Sequence, residues 1–457
     1  MRIAITDGRL VTGDGKTVLE KASVIIQDQT IKDVSKKVDQ ASIKSADVVI
    51  DAREKVVIPG LINQHSHGIT FGSVGCIDRT GVYAKNKALG FLYKHMLEGE
   101  TTILSVDGLT DVKVVERTAK FTPINLKAAT SRTPSTIRGL QLYPDWDSSY
   151  FDHYNVPADA EEQVKKGAVA FGEIAYYEDA HVCIGVPDTI KAKTGMRINV
   201  LQSYAFRKAI LGTGYDPSAF DRKKAEALIK QFGLPNITVD EIKKIVEEHL
   251  PEEVARCAFK GAEEAAVLCK KFDVPMILHC TPTSLETVLK IARELKKKVI
   301  AAHCNWSVEA DEAVSQAKKV KEAGALIDIT SGDAFDIAHL MPSPEPTYAL
   351  LREGLVDVIS TDFMQGHHDA MLLVLQEAMK QGIMKLPEAI ALATGNVAKA
   401  CPKLAPNRGY IAPGKVADLA IVDEDRISSV DTVIVGGKIA VGPLGSGRGR
   451  FSLPTKG

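Results

Sequence analysis

Two histidines lie two residues apart in "PGLINQHSH", His65 and His67, at the end of an apolar run near the N-terminus. A β-strand repeats every two residues, so both imidazoles project to one side of it. Further along, Glu173 closes "AVAFGE", His279 closes "VPMILH", His303 follows "KVIAA" and Asp362 follows "VDVIST". Neutral imidazole and ionised carboxylate are the ligand types of zinc and its first-row neighbours. Singly, each has an ordinary reading: a hydrogen-bonded strand end for a histidine, an ion pair for Glu173, a turn cap for Asp362. Together they predict a metal centre. Six such groups exceed what one tetrahedral ion requires, so one or two divalent ions per chain are expected, with Glu173 placed to bridge a pair. Zinc is the first expectation, with Fe2+, Mn2+ and Ni2+ as alternatives.

Positioning six ligands on one rim takes a repeating scaffold. Eight short apolar runs, each followed by a helical pattern, occur at "VVIPGLINQHSH", "TTILSVDG", "INLKAATSR", "AVAFGEI", "VPMILHC", "KVIAAHC", "ALIDITSGD" and "VDVISTDF". Continuous apolar strands alternating with helices imply a parallel sheet covered by helices. Eight of them predict an α/β chain with a (β/α)8 TIM barrel, whose chemistry belongs at the C-terminal strand ends. Residues 1–58 read instead as antiparallel strands separated by turns, and 405–457 repeat that style with a Gly-Gly turn. The two ends are expected to form one small β-sandwich domain, leaving 59–404 as the barrel. Residues of about 175–260 are rich in helical pattern, with only His181 and His249 as conceivable ligands. They are expected as an insertion that forms a lid or an oligomer contact.

"VVIPGLINQHSH" resembles the opening of the amidohydrolase superfamily barrel, and the later His279, His303 and Asp362 fall in that family's order. "ATGNVAKA" and "GYIAPGKVADLAIVD" resemble its return to the β domain. Where many members carry a carboxylated lysine on strand four, this chain has Glu173, with Lys165 and Lys166 ahead of the strand. That resembles the subset with a glutamate there, and the C-terminal stretch is similar to enamidase in particular. The resemblance implies metal-dependent hydrolysis of a C–N bond, with a cyclic amide or enamide favoured. It further implies His65, His67 and Asp362 at one ion, His279 and His303 at a second, Glu173 across both, and Asp362 as proton shuttle. Deamination of a heteroaromatic ring, N-deacylation and a non-catalytic binding scaffold are the alternatives.

Other polar residues follow the same strand ends. Arg132 has the fork to hold a substrate carboxylate or to form a loop ion pair. Asn305 and Trp306 lie just beyond His303, where the indole can stack on a flat ring or fill the core. His367 and His368 offer an oxyanion donor or a surface loop pair. Cys280 and Cys304 each follow a histidine, and alternation turns them toward packing.

The chain of 457 residues is 45% apolar and 25% charged, which supports a sizeable core. A formal charge of -1 makes no case for nucleic acid or an anionic membrane as partner. Seven cysteines without a C-x-x-C pair argue against a disulfide scaffold. With no signal-peptide pattern, the expectation is a cytoplasmic homo-oligomer acting on a small molecule.

Overall fold

Gly60 divides what reads as one strand into two. Its N–H donates to the Asp418 carbonyl at 2.8 Å, and a Cβ there would meet the Thr101 side chain at 2.3 Å. Only glycine admits so close an approach. Before it, "KVVIP" joins a terminal sheet; after it, "LINQHS" begins the barrel.

A computed structural model describes residues 1–36, 40–72, 85–142, 156–174, 181–212, 215–332, 343–363, 368–442 and 451–452. Its first five strands are β1 (Arg2–Val11), β2 (Val18–Gln27), β3 (Thr30–Ser35), β4 (Val48–Asp51) and β5 (Lys55–Pro59). The barrel strands follow as β6 (Leu61–Ser66), β7 (Glu100–Ser105), β8 (Asn125–Thr130), β9 (Ala170–Ile174), β10 (Met276–His279), β11 (Val299–Ala302), β12 (Leu326–Thr330) and β13 (Val358–Ser360). The chain then returns through β14 (Leu419–Asp423), β15 (Val430–Val435), β16 (Lys438–Val441) and β17 (Phe451–Ser452).

Strands β6 to β13 form one eight-stranded sheet in sequential order. Its paired neighbours run parallel, for example Met276–His279 of β10 against Val299–Ala302 of β11. The first and last strands meet where Ser66 bridges Phe363, with Asp362 N–H donating to His65 O at 3.0 Å and His67 N–H to Phe363 O at 2.8 Å. This is the expected (β/α)8 barrel.

The terminal strands build a separate nine-stranded sheet, ordered β16-β15-β14-β5-β1-β2-β3, with β4 and β17 on a side branch. An all-antiparallel arrangement was expected, and the sheet is mixed. β4 and β5 both run parallel to β1, because the chain crosses over through Gln40–Lys44 before each can pair.

The chain's contacts resolve into two compact units. One comprises Met1–Val106, Thr110–Ala128 and Val356–Gly457; the other comprises Asp107–Leu109 and Ala129–Leu355. In the first, Ile3, Ile5, Val24, Val57, Leu419 and Ile434 share a core cluster of the terminal sheet. In the second, helices Val186–Thr194, Val200–Leu211, Arg222–Gln231 and Val239–His249 surround a cluster of their own that includes Ile190, Phe206, Ile210 and Ile242. Local chemistry starts these helices. Asn199 with Gln202 and Thr238 with Glu241 form capping boxes that satisfy otherwise orphaned amides.

Candidate functional site

In the first unit, His65 is fully buried at the end of β6 and His67 follows it partly exposed. Their Nε2 atoms face each other at 3.1 Å. Asp362 Oδ1 lies 3.3 Å from His65 Nε2 and 3.6 Å from His67 Nε2. Two ligands about 2.0–2.1 Å from a tetrahedral zinc lie roughly 3.3 Å apart. The three separations therefore fit the edges of such a coordination shell, and the donor types are right for it. Asp362 holds a left-handed φ of 44°, a conformation an aspartate adopts at a cost of about 1–3 kcal/mol and which clusters at working sites.

In the second unit, Glu173 Oε1 lies 2.8 Å from His279 Nδ1 and 2.9 Å from His303 Nε2. The two rings are edge-on with centroids 4.3 Å apart. All three side chains are buried, and one ion can reach an atom of each. His303 also takes a left-handed φ, 42°. Its N–H donates to Asp328 Oδ2 at 3.2 Å, and the next amide, Cys304, donates to the Asp328 carbonyl at 2.9 Å. Asp328 is a buried support that the apolar pattern "ALIDIT" concealed. Gly172 aims Glu173: with φ 142° its own Cβ would meet Ile277 at 2.9 Å.

The remaining candidates sit as follows. Arg132 is buried, giving Nε and Nη2 to the Leu109 carbonyl at 3.0 and 2.8 Å and Nη1 to Asp159 at 3.1 Å. That is the loop ion pair of its two readings. Asn305 donates to Thr330 O at 2.9 Å and Thr347 Oγ1 at 2.8 Å, and accepts from Thr330 N at 2.9 Å. Trp306 packs against the core of the surrounding helices. Cys280 and Cys304 are buried; the Cys280 contact and burial push the Cys304 thiol well up. His249 bonds Thr189 Oγ1 at 2.8 Å. His367 and the side chain of His181 lie outside the described residues.

His368 corrects the surface-loop expectation. It is buried, its Nε2 paired with Glu98 and its ring stacked 4.9 Å from His95. Lys94 and Glu98 are one helical turn apart and take it up from below: Lys94 Nζ reaches His368 Nδ1 at 3.1 Å and Glu98 at 2.8 Å. His95 Nδ1 in turn lies 2.9 Å from Glu100 Oε2. Sequence reasoning missed this polar layer, since a His and two Glu around "YKHMLEGE" read as a helix end.

A family model described as the amidohydrolase family matches residues 208–440, just over half of the chain. The chain belongs to the amidohydrolase family. The matched span includes His279, His303 and Asp362. A 5'-deoxyadenosine deaminase of Methanothermobacter thermautotrophicus is 22% identical over 478 residues, covering 96% of this chain and 92% of that protein. A dihydroorotase of Geobacter metallireducens is 22% identical over 460 residues, covering 94% and 92%. Among solved structures, a mutant of atrazine chlorohydrolase TrzN from Arthrobacter aurescens, complexed with zinc and atraton, aligns with a TM-score of 0.54 at 17% identity over 97% and 96% of the two chains. That likeness is one of fold. Among the described residues no helix is long and apolar enough to cross a membrane.

Proposed function

We propose that this amidohydrolase cleaves a C–N bond of a cyclic amide or enamide, with divalent metal held by His65, His67, Glu173, His279, His303 and Asp362. The observation that carries the reading is the set of three donor atoms, His65 Nε2, His67 Nε2 and Asp362 Oδ1, spaced 3.1 to 3.6 Å apart as a zinc shell needs. A bound divalent ion supplies Lewis acidity and lowers the pKa of its water from about 15.7 toward 7.

The chain's own residues do the rest. Hydrolysis adds the elements of water across the C–N bond, hydroxyl to carbon and proton to nitrogen. Asp362, partly exposed beside both imidazoles, takes the water's proton on a carboxylate oxygen and returns it to the leaving nitrogen. Glu173 Oε1, His279 Nδ1 and His303 Nε2 face one another and would each offer one atom to an ion held there.

The cyclic-amide class is supported by the enamidase-like C-terminal stretch and by the dihydroorotase relative, since dihydroorotate is itself a cyclic amide. The 5'-deoxyadenosine deaminase relative favours a second reading, in which the same water addition releases ammonia from an aminopurine. The helical stretch of about residues 175–260 is assigned to substrate access or self-assembly.

Elemental analysis of chelator-free protein, together with turnover on lactams, cyclic imides, enamides and aminopurines, tests this. Between one and two transition-metal ions per chain and turnover of a cyclic amide are expected. Turnover of aminopurines alone would move the assignment to the deaminase reading, and full activity without metal would end both.

A further inference from the structure

Asn63 stands two residues before His65 on β6, fully buried. Its Oδ1 accepts from the His65 N–H at 3.1 Å and from the Thr361 N–H at 3.3 Å. Its Nδ2 donates to Thr361 Oγ1 at 2.6 Å and to Glu100 Oε2 at 3.0 Å. One amide thus touches the residue before Asp362, the backbone of His65 and the first residue of β7. Its orientation is fixed. Reversing it would set the NH2 against two N–H donors and the oxygen against a carboxylate. Glu100, also fully buried, lies against His95, whose Nε2 is 3.3 Å from Ser66 Oγ, the residue that separates the two ligand histidines.

The neighbouring His95, Glu98, Glu100 and His368 are metal-ligand types close enough to share an ion, but their geometry points elsewhere. Lys94 already supplies the cation at Glu98, and the imidazoles of His95 and His368 lie nearly parallel, 12° apart, in a face-to-face stack. A ligating imidazole points its ring plane at the metal, and two stacked parallel planes do not meet at one point. This layer is a support.

We infer that Asn63, oriented by Glu100, is the positioning residue that sets the separation of His65 and Asp362 where the first and last barrel strands meet. The inference rests on the metal-hydrolase reading above. Thr361 completes the link: its Oγ1 donates to the His65 carbonyl at 3.3 Å and accepts from the Phe363 N–H at 3.2 Å. If the Asn63 amide is lost, the two strand ends keep their sheet pairing but lose the bonds that hold their terminal residues at ligating distance.

The test is a reciprocal exchange in the full-length protein, with Co2+ as probe. Asn63→Asp places one carboxylate against another. Asn63→Asp with Glu100→Gln restores a donor–acceptor pair in reverse, Gln to Asp, while the Asp oxygen still accepts from His65 and Thr361. Metal affinity by chelator competition and the visible spectrum of bound Co2+ are read, with thermal melting as the check on folding. Asn63→Asp is expected to weaken Co2+ by about tenfold or more, the range seen when groups supporting metal ligands are changed, and to alter the spectrum. The double variant is expected to recover most of both, which a merely destabilised fold would not. A wild-type spectrum and affinity in Asn63→Asp, or a double variant no better than the single, overturns the inference. If Asn63→Asp does not fold, Glu100→Met alone decides, because it offers the Asn63 amide no acceptor: an unchanged spectrum and affinity overturns the inference, and a shift in both supports it. Wild-type protein that takes up no Co2+ overturns the metal reading and this inference together, whereas uptake with indifferent variants overturns this inference alone.

Discussion

Asp362 has two duties in the proposed chemistry, ligand and proton carrier, and an amide in its place separates them. Asp362→Asn keeps an oxygen near His65 and His67 but removes the charge and basicity. The protein should fold and retain most of its metal while turnover falls by about 10²–10⁴-fold, the usual contribution of a positioned general acid–base. Glu173→Gln should do the reverse, losing metal with the charge that faces His279 and His303. Metal content and rate measured side by side distinguish the two, and near-normal turnover in metal-replete Asp362→Asn would remove the shuttle. Both residues stand out in the sequence because each carries a ligand-type side chain at the end of an apolar run. Asn63 and Glu100 were not legible as a pair, since Glu100 lies 37 residues from Asn63 and Thr361 lies 298 from it. His368 was equally hidden, and it carries a pH prediction. Burial lowers its pKa below the ordinary histidine value. Burial raises Glu98, but hydrogen bonds from His368 and Lys94 outweigh that and leave it low. Both groups are lowered in the folded state, so both contribute stability at neutral pH that is lost as pH falls. His368's share begins to go below about pH 6.5 and Glu98's below about pH 4.3. His368→Gln should flatten the decline of melting temperature between those two values; an unchanged slope would mean the pair is not linked to folding.

At the scale of elements, each of the eight apolar runs became a barrel strand, because a strand buried on both faces writes a continuous apolar signal. The break at Gly60 left no such signal, for Val56–Ile58 and Leu61–Ile62 are equally buried while belonging to different sheets. Strand direction in the terminal sheet was likewise illegible, since it depends on crossovers rather than on alternation. The glycine before Glu173 illustrates how an element serves the site. At φ 142°, with Ile277 Cβ and carbonyl oxygen each 2.9 Å from where its own Cβ would stand, β9 runs hard against β10. Gly172→Ala must move one strand or the other. We expect a loss of about 1–3 kcal/mol, the cost of forcing such a backbone, and weaker binding of the metal proposed at His279 and His303. Equilibrium metal titration beside a denaturation curve measures both, and an alanine variant with wild-type values would show that the strand gives way freely.

Over the whole molecule, strands from the N-terminal and C-terminal segments share one sheet. Register Lys55↔Asp423 of β5 and β14 is where they meet, and Lys55 is buried there against Asp423 and Asp431. Burial pulls its ammonium pKa down, but the hydrogen bond to Asp423 and the charge of Asp431 overcome this and raise it. A buried pair adds little over an apolar isostere, whereas removing one partner strands the other at about 3–5 kcal/mol. Lys55→Met keeps the apolar stem and leaves Asp431 without its cation, with the Thr432 hydroxyl still donating at 2.9 Å. Because Asp423 is partly solvated, the lower figure applies, about 3 kcal/mol, or roughly a hundredfold in the opening equilibrium. Amide hydrogen exchange in β5 and β14 should accelerate by that factor while the helices around Phe206 and Ile242, in the other compact unit, exchange as before. Adding Asp431→Asn removes the stranded charge and should restore most of the protection. Exchange that accelerates everywhere alike would mean the chain opens as one body, and exchange that does not change would mean the apolar register alone joins its ends.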